Sequence, residues 1–499
     1  MKEESIIWIL IKIMALAVIG PFTYSIYSMP VVIAAFLAIT AIFFVTLFQK
    51  QYFSFLMQLF ICNHFTYGYE IGGTFNLVAF VALFAYLFLY GSEFFSETTL
   101  SKTFIFLISM FLVIQIFSLI NSGTPTGLKV GSFFVLFNFF FLFYFCSKIK
   151  IDTNTYPKFI KVTAIYFIYM FILSINQRYE YFVSPYEFFP NTGPNANWEF
   201  GIPRSAGTLG NFEYYAEYSI SMIALCLPGL LSGTFKKVSL SFFASALALM
   251  VLSVLAIVLS GTRSSILLLP FLIIAAVFFL GRRLRITNIA IGVAVTVIFF
   301  AVNSVHTIVD FSIFSKRSEE VDMKHVSLSS IMSGKDMNRG DIFAYGFKKM
   351  EQASVLFGDG FFANRKQYVI NHFGRVREDD IPDYHNLYMS SVVLWGYLGA
   401  CILVFFFFYS MYKGFKLYSK LKKQNFFLVD LLLGFNLLFL FFMVNQFKIQ
   451  FIRDTNYFML MLLLLVFYNS LIHLLSQKIV VVPTNQIKLY ENSNTAHNL

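Results

Sequence analysis

The chain alternates long apolar runs with short polar connections over almost its whole length. Most runs approach the roughly 20 apolar residues that a helix needs to cross the hydrocarbon core of a bilayer. The pattern predicts about fourteen such runs, of which the third is short. Their approximate centres are Leu16, Leu37, Leu59, Ala82, Leu112, Phe137, Tyr169, Ile223, Leu249, Phe271, Val293, Leu403, Leu438 and Leu464. The predicted fold class is therefore all-α, a polytopic helical membrane protein with about 14 (12–14) transmembrane helices.

One long polar stretch, from Val305 to Tyr384, interrupts this pattern and gives the chain its domain organisation. Residues 1–304 are predicted to hold helices 1–11, with a smaller polar loop at 177–212. Residues 305–384 form a large extramembrane loop, residues 385–475 hold helices 12–14, and residues 476–499 form a tail. So much hydrophilic chain between two spans indicates extramembrane chemistry.

Composition agrees with the membrane class, because 58% of the 499 residues are hydrophobic and 13% are charged. No small-residue cleavage pattern follows the first run, so that run is predicted to stay in the protein. The cysteines lie in or at the ends of apolar runs without metal-ligand spacing, which predicts neither a disulfide framework nor a zinc site. No phosphate-binding glycine loop occurs, so ATP use is not indicated.

The distribution of Lys and Arg among the short loops predicts the orientation, because cytoplasmic loops carry the excess of positive charge. Alternation from a cytoplasmic N-terminus puts Lys148 to Lys161, Lys236-Lys237, Arg282 to Arg285 and Lys413 to Lys423 inside. Both termini are then cytoplasmic, and residues 177–212 and 305–384 face outward. The net charge of +11 follows mainly from this bias, so nucleic-acid binding is not predicted.

A set of outward cations is the candidate chemistry. Arg263 lies in a turn of a few residues between two spans, where it either extends to the interface or forms an anion site with Ser264, Ser265 and a helix N-terminus. Arg204 precedes the eighth span, and Arg339 precedes a predicted short helix in the large loop. For Arg204 or Arg339 taken alone, a solvated surface charge is the favoured interpretation.

His385 stands where the large loop meets the membrane. It is a candidate general base around neutral pH, and the alternative is a hydrogen-bonded interfacial anchor. The acidic cluster Glu378 to Asp383 beside it is either a solvated turn balanced by nearby arginines or a site for a divalent cation.

Three ordered motifs give the chain a resemblance to a known family. They are Arg204-Ser-Ala-Gly-Thr-Leu-Gly-Asn211 before a span, Gly261-Thr-Arg263-Ser-Ser between spans, and a large outward loop. The loop contains Arg339 and Gly358-Asp-Gly360, closes with His385-Asn-Leu-Tyr388 and is followed by Trp395-Gly-Tyr-Leu-Gly399. In this order the motifs resemble the bacterial O-antigen polymerase and O-antigen ligase family. The chain departs from the family pattern at Asn211-Phe-Glu213 and around Arg263.

The resemblance implies an inverting, metal-independent glycosyltransferase without cofactors, which takes a glycan from undecaprenyl pyrophosphate. Arg263 and Arg339 would hold the pyrophosphate, and His385 would take the proton from the acceptor hydroxyl. The resemblance gives substrate-binding roles to Arg204, Asn211, Ser264, Asn386 and Tyr388, and implies no metal site. Length and span count favour a surface polysaccharide polymerase, for O-antigen, capsule or exopolysaccharide, whose acceptor is another lipid-linked repeat unit.

Two alternatives stay open at this stage. One is an O-antigen ligase, which transfers the glycan to lipid A core. The other is a flippase or transporter of lipid-linked oligosaccharides, for which charged residues at the bilayer midplane and repeated halves would be expected. The expected location is the bacterial cytoplasmic (inner) membrane. The expected partners are the lipid-linked oligosaccharide and membrane lipids, with a chain-length regulator and a flippase as further candidates and no nucleic acid.

Overall fold

The computed structural model describes the helical part of the chain and leaves most of the predicted large loop undescribed. The described residues are 5–25, 29–64, 68–94, 100–121, 126–179, 198–199, 202–285, 350–351, 355–358, 386–424, 426–449, 451–453 and 455–481. Within them the regular secondary structure is helical apart from a two-residue antiparallel pairing of β1 (Trp198–Glu199) with β2 (Ile202–Pro203). The predicted all-α membrane fold is confirmed.

Fourteen α-helices are described, and most have the length and composition of membrane spans. In chain order they are α1 (Ile6–Ser25), α2 (Met29–Phe48), α3 (Tyr52–Cys62), α4 (Gly68–Phe94), α5 (Lys102–Asn121), α6 (Thr126–Cys146), α7 (Thr155–Tyr179), α8 (Phe212–Ser232), α9 (Thr234–Val238), α10 (Leu240–Ser260), α11 (Arg263–Leu280), α12 (Leu387–Leu421), α13 (Phe427–Asn445) and α14 (Thr455–Val481). Short 3-10 turns occupy Gly281–Arg283 and Phe451–Arg453.

The predicted spans coincide with these helices. In the described part of the chain, nine helices are long and apolar enough to cross a membrane, and four shorter apolar helices accompany them. Every predicted centre lies in a described helix except Val293, which lies outside the described residues. The short third run is α3, whose 11 residues reach only about 16 Å, roughly half of a hydrocarbon core. Helix α14 passes Leu475 and continues to Val481, so the predicted tail begins as helix.

Helices α8, α13 and α14 form the centre of the bundle, and α11 lies at its periphery. Aromatic rings fill much of the space between the central helices. Phe159 of α7 stacks on Phe467 of α14 with ring centroids 4.2 Å apart, and Tyr214 of α8 stacks on Tyr457 of α14 at 4.4 Å. Such pairs add directional contacts to apolar burial and fix how the helices meet.

Contacts between helix ends define two ends of the bundle. The first, called the site end, contains Arg204–Asn211, Gly261–Ser265, Asn386–Tyr388 and Asn445–Ile449. Its parts are joined by bonds such as Leu387 N–H to the Gln446 carbonyl at 2.9 Å. The second, called the lysine end, contains Lys236-Lys237, Arg282–Arg285 and Lys413–Lys423. There Arg283 contacts Asp430 at 2.6 Å and donates to the Gln424 carbonyl at 3.3 Å.

Two glycines from separate sequence motifs meet where α12 bends. Gly396 interrupts α12 with φ 65° and ψ −178°, and Gly358 also has a positive φ of 65°. A Cβ built on Gly396 would lie 2.3 Å from the Leu356 carbonyl, and one built on Gly358 would lie 2.5 Å from the Gly396 nitrogen. The bend exposes the Tyr397 N–H, which donates to the Val355 carbonyl at 2.9 Å. Only glycine fits this backbone contact.

We therefore expect Gly396→Ala to destabilise the protein by about 1–3 kcal/mol, because the added methyl meets backbone and the positive φ becomes strained. The measurement is the apparent Tm of the detergent-solubilised protein. Gly131→Ala in α6 is the matched control, since a Cβ there meets nothing within 4 Å. Equal Tm values for the two variants would contradict the close contact.

Candidate functional site

The turn between α10 and α11 is short and presents Arg263 as the first residue of α11. Gly261 ends α10 in the left-handed region with φ 61°, and its N–H donates to the Val258 carbonyl at 3.0 Å. Thr262 follows in extended conformation, and α11 begins immediately after it. The predicted turn is thus confirmed, and the backbone of Arg263 lies at a helix N-terminus, where free N–H groups favour anions.

Arg204 is buried against this turn. Its Nε donates to the Ser260 carbonyl at 2.8 Å, and its Nη2 donates to the Gly261 carbonyl at 3.4 Å and to Thr262 Oγ1 at 3.2 Å. The guanidinium carbon lies 3.3 Å from the ring centroid of Phe212. These contacts make Arg204 a support for the turn that carries Arg263. Its predicted contact with substrate is not tested by them.

The segment that carries Arg204 is itself held by α7. Gln177 Oε1 accepts the N–H groups of Ala206 and Gly207, both at 3.0 Å, and its Nε2 donates to the Gly207 carbonyl at 2.8 Å. Ser205 Oγ donates to the Ser174 carbonyl at 2.7 Å. Irregular backbone at membrane depth requires such internal partners, so these bonds let the segment approach the bundle without helical structure.

Asn211 closes this segment and caps α8. Its side-chain oxygen accepts the N–H groups of Glu213 at 2.7 Å and Tyr214 at 3.4 Å, as expected for an N-cap asparagine. The motif departure at Phe212 and Glu213 therefore still forms a capped helix start. A substrate-binding role for Asn211 stays a prediction.

Ser264 and Ser265 occupy the first turn of α11 beside Arg263. Ser264 Oγ accepts from Lys448 Nζ at 3.2 Å. Lys448 belongs to the α13–α14 connection, so a second cation contacts the residue that follows Arg263. Ser265 is fully buried, and its hydroxyl has no hydrogen-bond partner among the described residues. A cation, a helix N-terminus and a hydroxyl thus lie together.

Asn386 and Tyr388 bind the end of α13. Asn386 caps α12 by accepting the Met389 N–H at 3.1 Å, and its Nδ2 donates to the Phe447 carbonyl at 3.2 Å. Tyr388 OH donates to the Met443 carbonyl at 2.8 Å. These bonds fix the start of α12 directly after His385. The predicted substrate contacts of Asn386 and Tyr388 are not tested by this geometry.

Glu217, in the second turn of α8, links three helices below the site end. It is 1% exposed. Its carboxyl accepts hydrogen bonds from Asn445 Nδ2, from Gln446 Nε2 at 2.8 Å and from Tyr457 OH at 2.9 Å. An acidic residue in a membrane bundle is costly unless donors surround it, and here three do. Because Gln446 also accepts the Leu387 N–H, Glu217 acts on the start of α12 through one intermediate residue.

The predicted site residues divide into three groups. Arg204, Asn211, Ser264, Asn386 and Tyr388 all lie at the site end, on three parts of the chain that are far apart in sequence. Arg263 lies there by its backbone. His385, Arg339 and the acidic cluster lie outside the described residues. The N-termini of α8, α11 and α12 therefore meet at one end, where their dipoles favour a negatively charged ligand.

Lys448, Glu217 and Gln177 are residues of this end that the sequence analysis did not select. Lys448 gave no distinct signal, because it is a single lysine in a short connection between two apolar runs. Of these three residues, Glu217 could have been selected from the sequence, because a carboxylate a few residues into an apolar run is rare and commonly functional. Gln177 gave no sequence signal, since its role depends on backbone groups about thirty residues away.

Residues 248–404 match the family model for O-antigen ligase (Wzy_C). The match covers less than half of the chain and includes α11, the start of α12, Arg339 and His385, whereas Arg204 and Asn211 lie before it. Residues 248–404 are thus similar to a domain of a glycosyltransferase-like enzyme family, consistent with the O-antigen polymerase and ligase resemblance. It is a multi-pass membrane protein with a function of the surface polysaccharide polymerase or ligase kind. No curated protein matches the chain.

We expect Arg204→Lys to lower stability by about 1–3 kcal/mol although the charge is kept, because lysine cannot reproduce the bonds to the turn and the stacking on Phe212. The apparent Tm in detergent measures this. Arg285→Lys, an exposed arginine at the lysine end, is the matched control. If Arg204→Lys were as stable as that control, the supporting role of Arg204 would be wrong.

We expect Glu217→Gln to cost about 1–3 kcal/mol, because the new amide group faces at least one of three donors and leaves it unsatisfied. Glu351→Gln, at an exposed position, should leave the Tm unchanged. The comparison of both Tm values with the unmodified protein is the measurement. Unchanged stability of Glu217→Gln would mean that the three donors find other acceptors.

Proposed function

We propose that the protein is a surface polysaccharide polymerase. It transfers a glycan from undecaprenyl pyrophosphate to the terminal hydroxyl of another lipid-linked repeat unit. The observation that carries the proposal is that the connection after α13 contacts both the Arg263 turn, through Lys448 and Ser264, and the start of α12, through Gln446 and Leu387. The Arg263 turn and the start of α12 both lie inside the segment that matches the O-antigen ligase family. A polyprenyl donor requires a site at the membrane surface, and the site end lies where helices of the bundle begin.

The donor end of the site would bind the pyrophosphate. Arg263 and Arg339 hold it in this proposal, and Lys448 is added as a third cation because its Nζ contacts Ser264. The free N–H groups of α11 and the Ser265 hydroxyl supply further donors to phosphate oxygens. Cations fixed before the reaction stabilise the charge that develops on a leaving pyrophosphate without reorganisation.

The reaction is a single displacement at the anomeric carbon. The acceptor oxygen forms the new glycosidic bond on the face opposite the pyrophosphate, the bond from carbon to the pyrophosphate oxygen breaks, and configuration inverts. His385 takes the proton of the acceptor hydroxyl. Asn386 directly follows His385 in the chain, and Asn386 and Tyr388 fix the start of α12 on α13. No metal or cofactor takes part in the proposed step.

The identity of the acceptor distinguishes the proposed polymerase from the alternative, an O-antigen ligase. The matched family description favours a ligase, whose acceptor is lipid A core, as the second candidate. Length and span count favour the polymerase. The same family match gives the flippase alternative no support.

In the proposed orientation, the site end faces outward from the bacterial cytoplasmic membrane, and both termini are cytoplasmic. The support is the clustering of lysines and arginines at the other end, in agreement with the excess of positive charge in cytoplasmic loops. The undecaprenyl pyrophosphate donor and membrane lipids are the proposed partners, and a chain-length regulator and a flippase are further ones.

We expect purified protein in liposomes to convert a lipid-linked repeat unit, supplied as donor and acceptor, into a ladder of longer glycans. Arg263→Ala should lower the rate about 10²–10³-fold, the usual effect of losing one transition-state donor. His385→Ala should lower it about 10²–10⁴-fold, the usual contribution of a general base. Lys448→Ala should lower it less, since Lys448 is one of three cations. Gel analysis of the lipid-linked products over time measures each rate.

Arg285→Ala at the lysine end is the control and should keep full activity. Transfer to lipid A core without a ladder would identify a ligase. Full activity of both Arg263→Ala and His385→Ala, in variants with an unchanged Tm, would show that the reacting groups lie elsewhere.

A further inference from the structure

A cavity at the lysine end lies between α5, α12 and α14, on the opposite side of the bundle from the proposed glycan site. Its volume is about 440 Å³. Leu100, Phe104, Leu417 and Ile472 give it apolar walls. The polar side chains that line it are those of Ser101, Lys413, Lys416, Lys420, Asn469, His473 and Ser476, and no acidic residue is found among the lining residues that the structure describes.

The three lysines share one face of α12, because they are spaced three and four residues apart. Within the part of the chain that the structure describes, none of them pairs with a carboxylate. Lys413 Nζ lies 4.4 Å from the ring centroid of Tyr409, and Lys416 Nζ lies 5.6 Å from that of Tyr412, so nearby aromatic rings orient the ammonium groups. The cavity therefore has a concentrated positive charge.

A buried donor in the cavity wall also lacks an acceptor. Asn469 is 5% exposed, and its Oδ1 accepts from Ser410 Oγ at 3.2 Å. Its Nδ2 has no partner among the described residues, which is costly for a buried amide. An oxygen of a ligand in the cavity would satisfy it.

The position of the cavity relates it to the lipid headgroups. Beyond its bend at Gly396, helix α12 continues from 397 to 421, and these 25 residues extend about 38 Å, beyond a hydrocarbon core of about 30 Å. Its last turns, which carry the lysines, therefore lie at headgroup level. Apolar walls next to a cationic rim suit a molecule with a phosphate and acyl chains better than free phosphate.

We propose that this cavity binds the phosphate headgroup of an anionic glycerophospholipid from the adjacent leaflet. The lysines contact the phosphate, Asn469 Nδ2 donates to a phosphate or ester oxygen, and the apolar walls receive the start of an acyl chain. The proposal concerns the end of the bundle opposite the glycan site and does not depend on the proposed polymerase activity.

The test measures phosphatidylglycerol binding to delipidated protein by native mass spectrometry, with phosphatidylcholine as the neutral lipid. We expect preferential retention of phosphatidylglycerol. The triple variant Lys413→Gln, Lys416→Gln and Lys420→Gln should weaken it at least about tenfold, since each lysine near an anionic surface contributes to the attraction. Asn469→Leu should weaken it without any change of net charge.

The charge-matched control is Lys236→Gln, Lys237→Gln and Lys422→Gln, exposed lysines of the same end that do not line the cavity. It should bind phosphatidylglycerol as the unmodified protein does. Equal losses in both triple variants, or undiminished binding in the cavity variant, would overturn the proposal. Displacement by inorganic phosphate as effective as by phosphatidylglycerol would mean a free-phosphate site and would overturn it as well.

Discussion

The buried carboxyl of Glu217 is the interaction on which the arrangement of the site end most depends. Glu217 is 1% exposed, so the acidic group is tolerable only while the side chains of Asn445, Gln446 and Tyr457 surround it. Those donors come from α13, from the residue after it and from α14, which fixes three helices relative to one another. Gln446 then accepts the first N–H of α12 and, through its side chain, the N–H of Phe451. The start of α12 and the connection that carries Lys448 are thus set by one polar cluster.

Much of the fold was predictable from the sequence because apolar runs in a membrane protein have few alternatives to helix. Spans centred at residues such as Tyr169 and Leu438 coincide with helices for this reason. The bend at Gly396 was not predictable, because it depends on the backbone of residues 355–358 from a distant part of the chain. The length of α3 was less well defined, since 11 helical residues lie inside a longer apolar run.

The candidate site was predictable only in part. Arg204 and Arg263 stood out because cations are rare in short outward connections, and both lie at the site end. The sequence could not identify the hydrogen-bond partners of the residues at this end. Arg204 contacts carbonyl groups more than fifty residues away, and Glu217 meets donors more than two hundred residues away. Such pairs have no spacing that a motif could record, so Lys448 looked like an ordinary loop charge.

The contact between Arg204 and the Ser260–Thr262 turn crosses the boundary of the family match, because Arg204 precedes residue 248. The segment that resembles the O-antigen ligase family is therefore not an independent module. Its first turn is supported by a guanidinium, and that guanidinium's segment is held by Gln177 of α7. In evolutionary terms, the segment that carries Arg204 and the segment that matches the family are constrained to change together. A recombinant that joined this segment to the N-terminal helices of another relative would keep the matched motifs and lose the support that positions them.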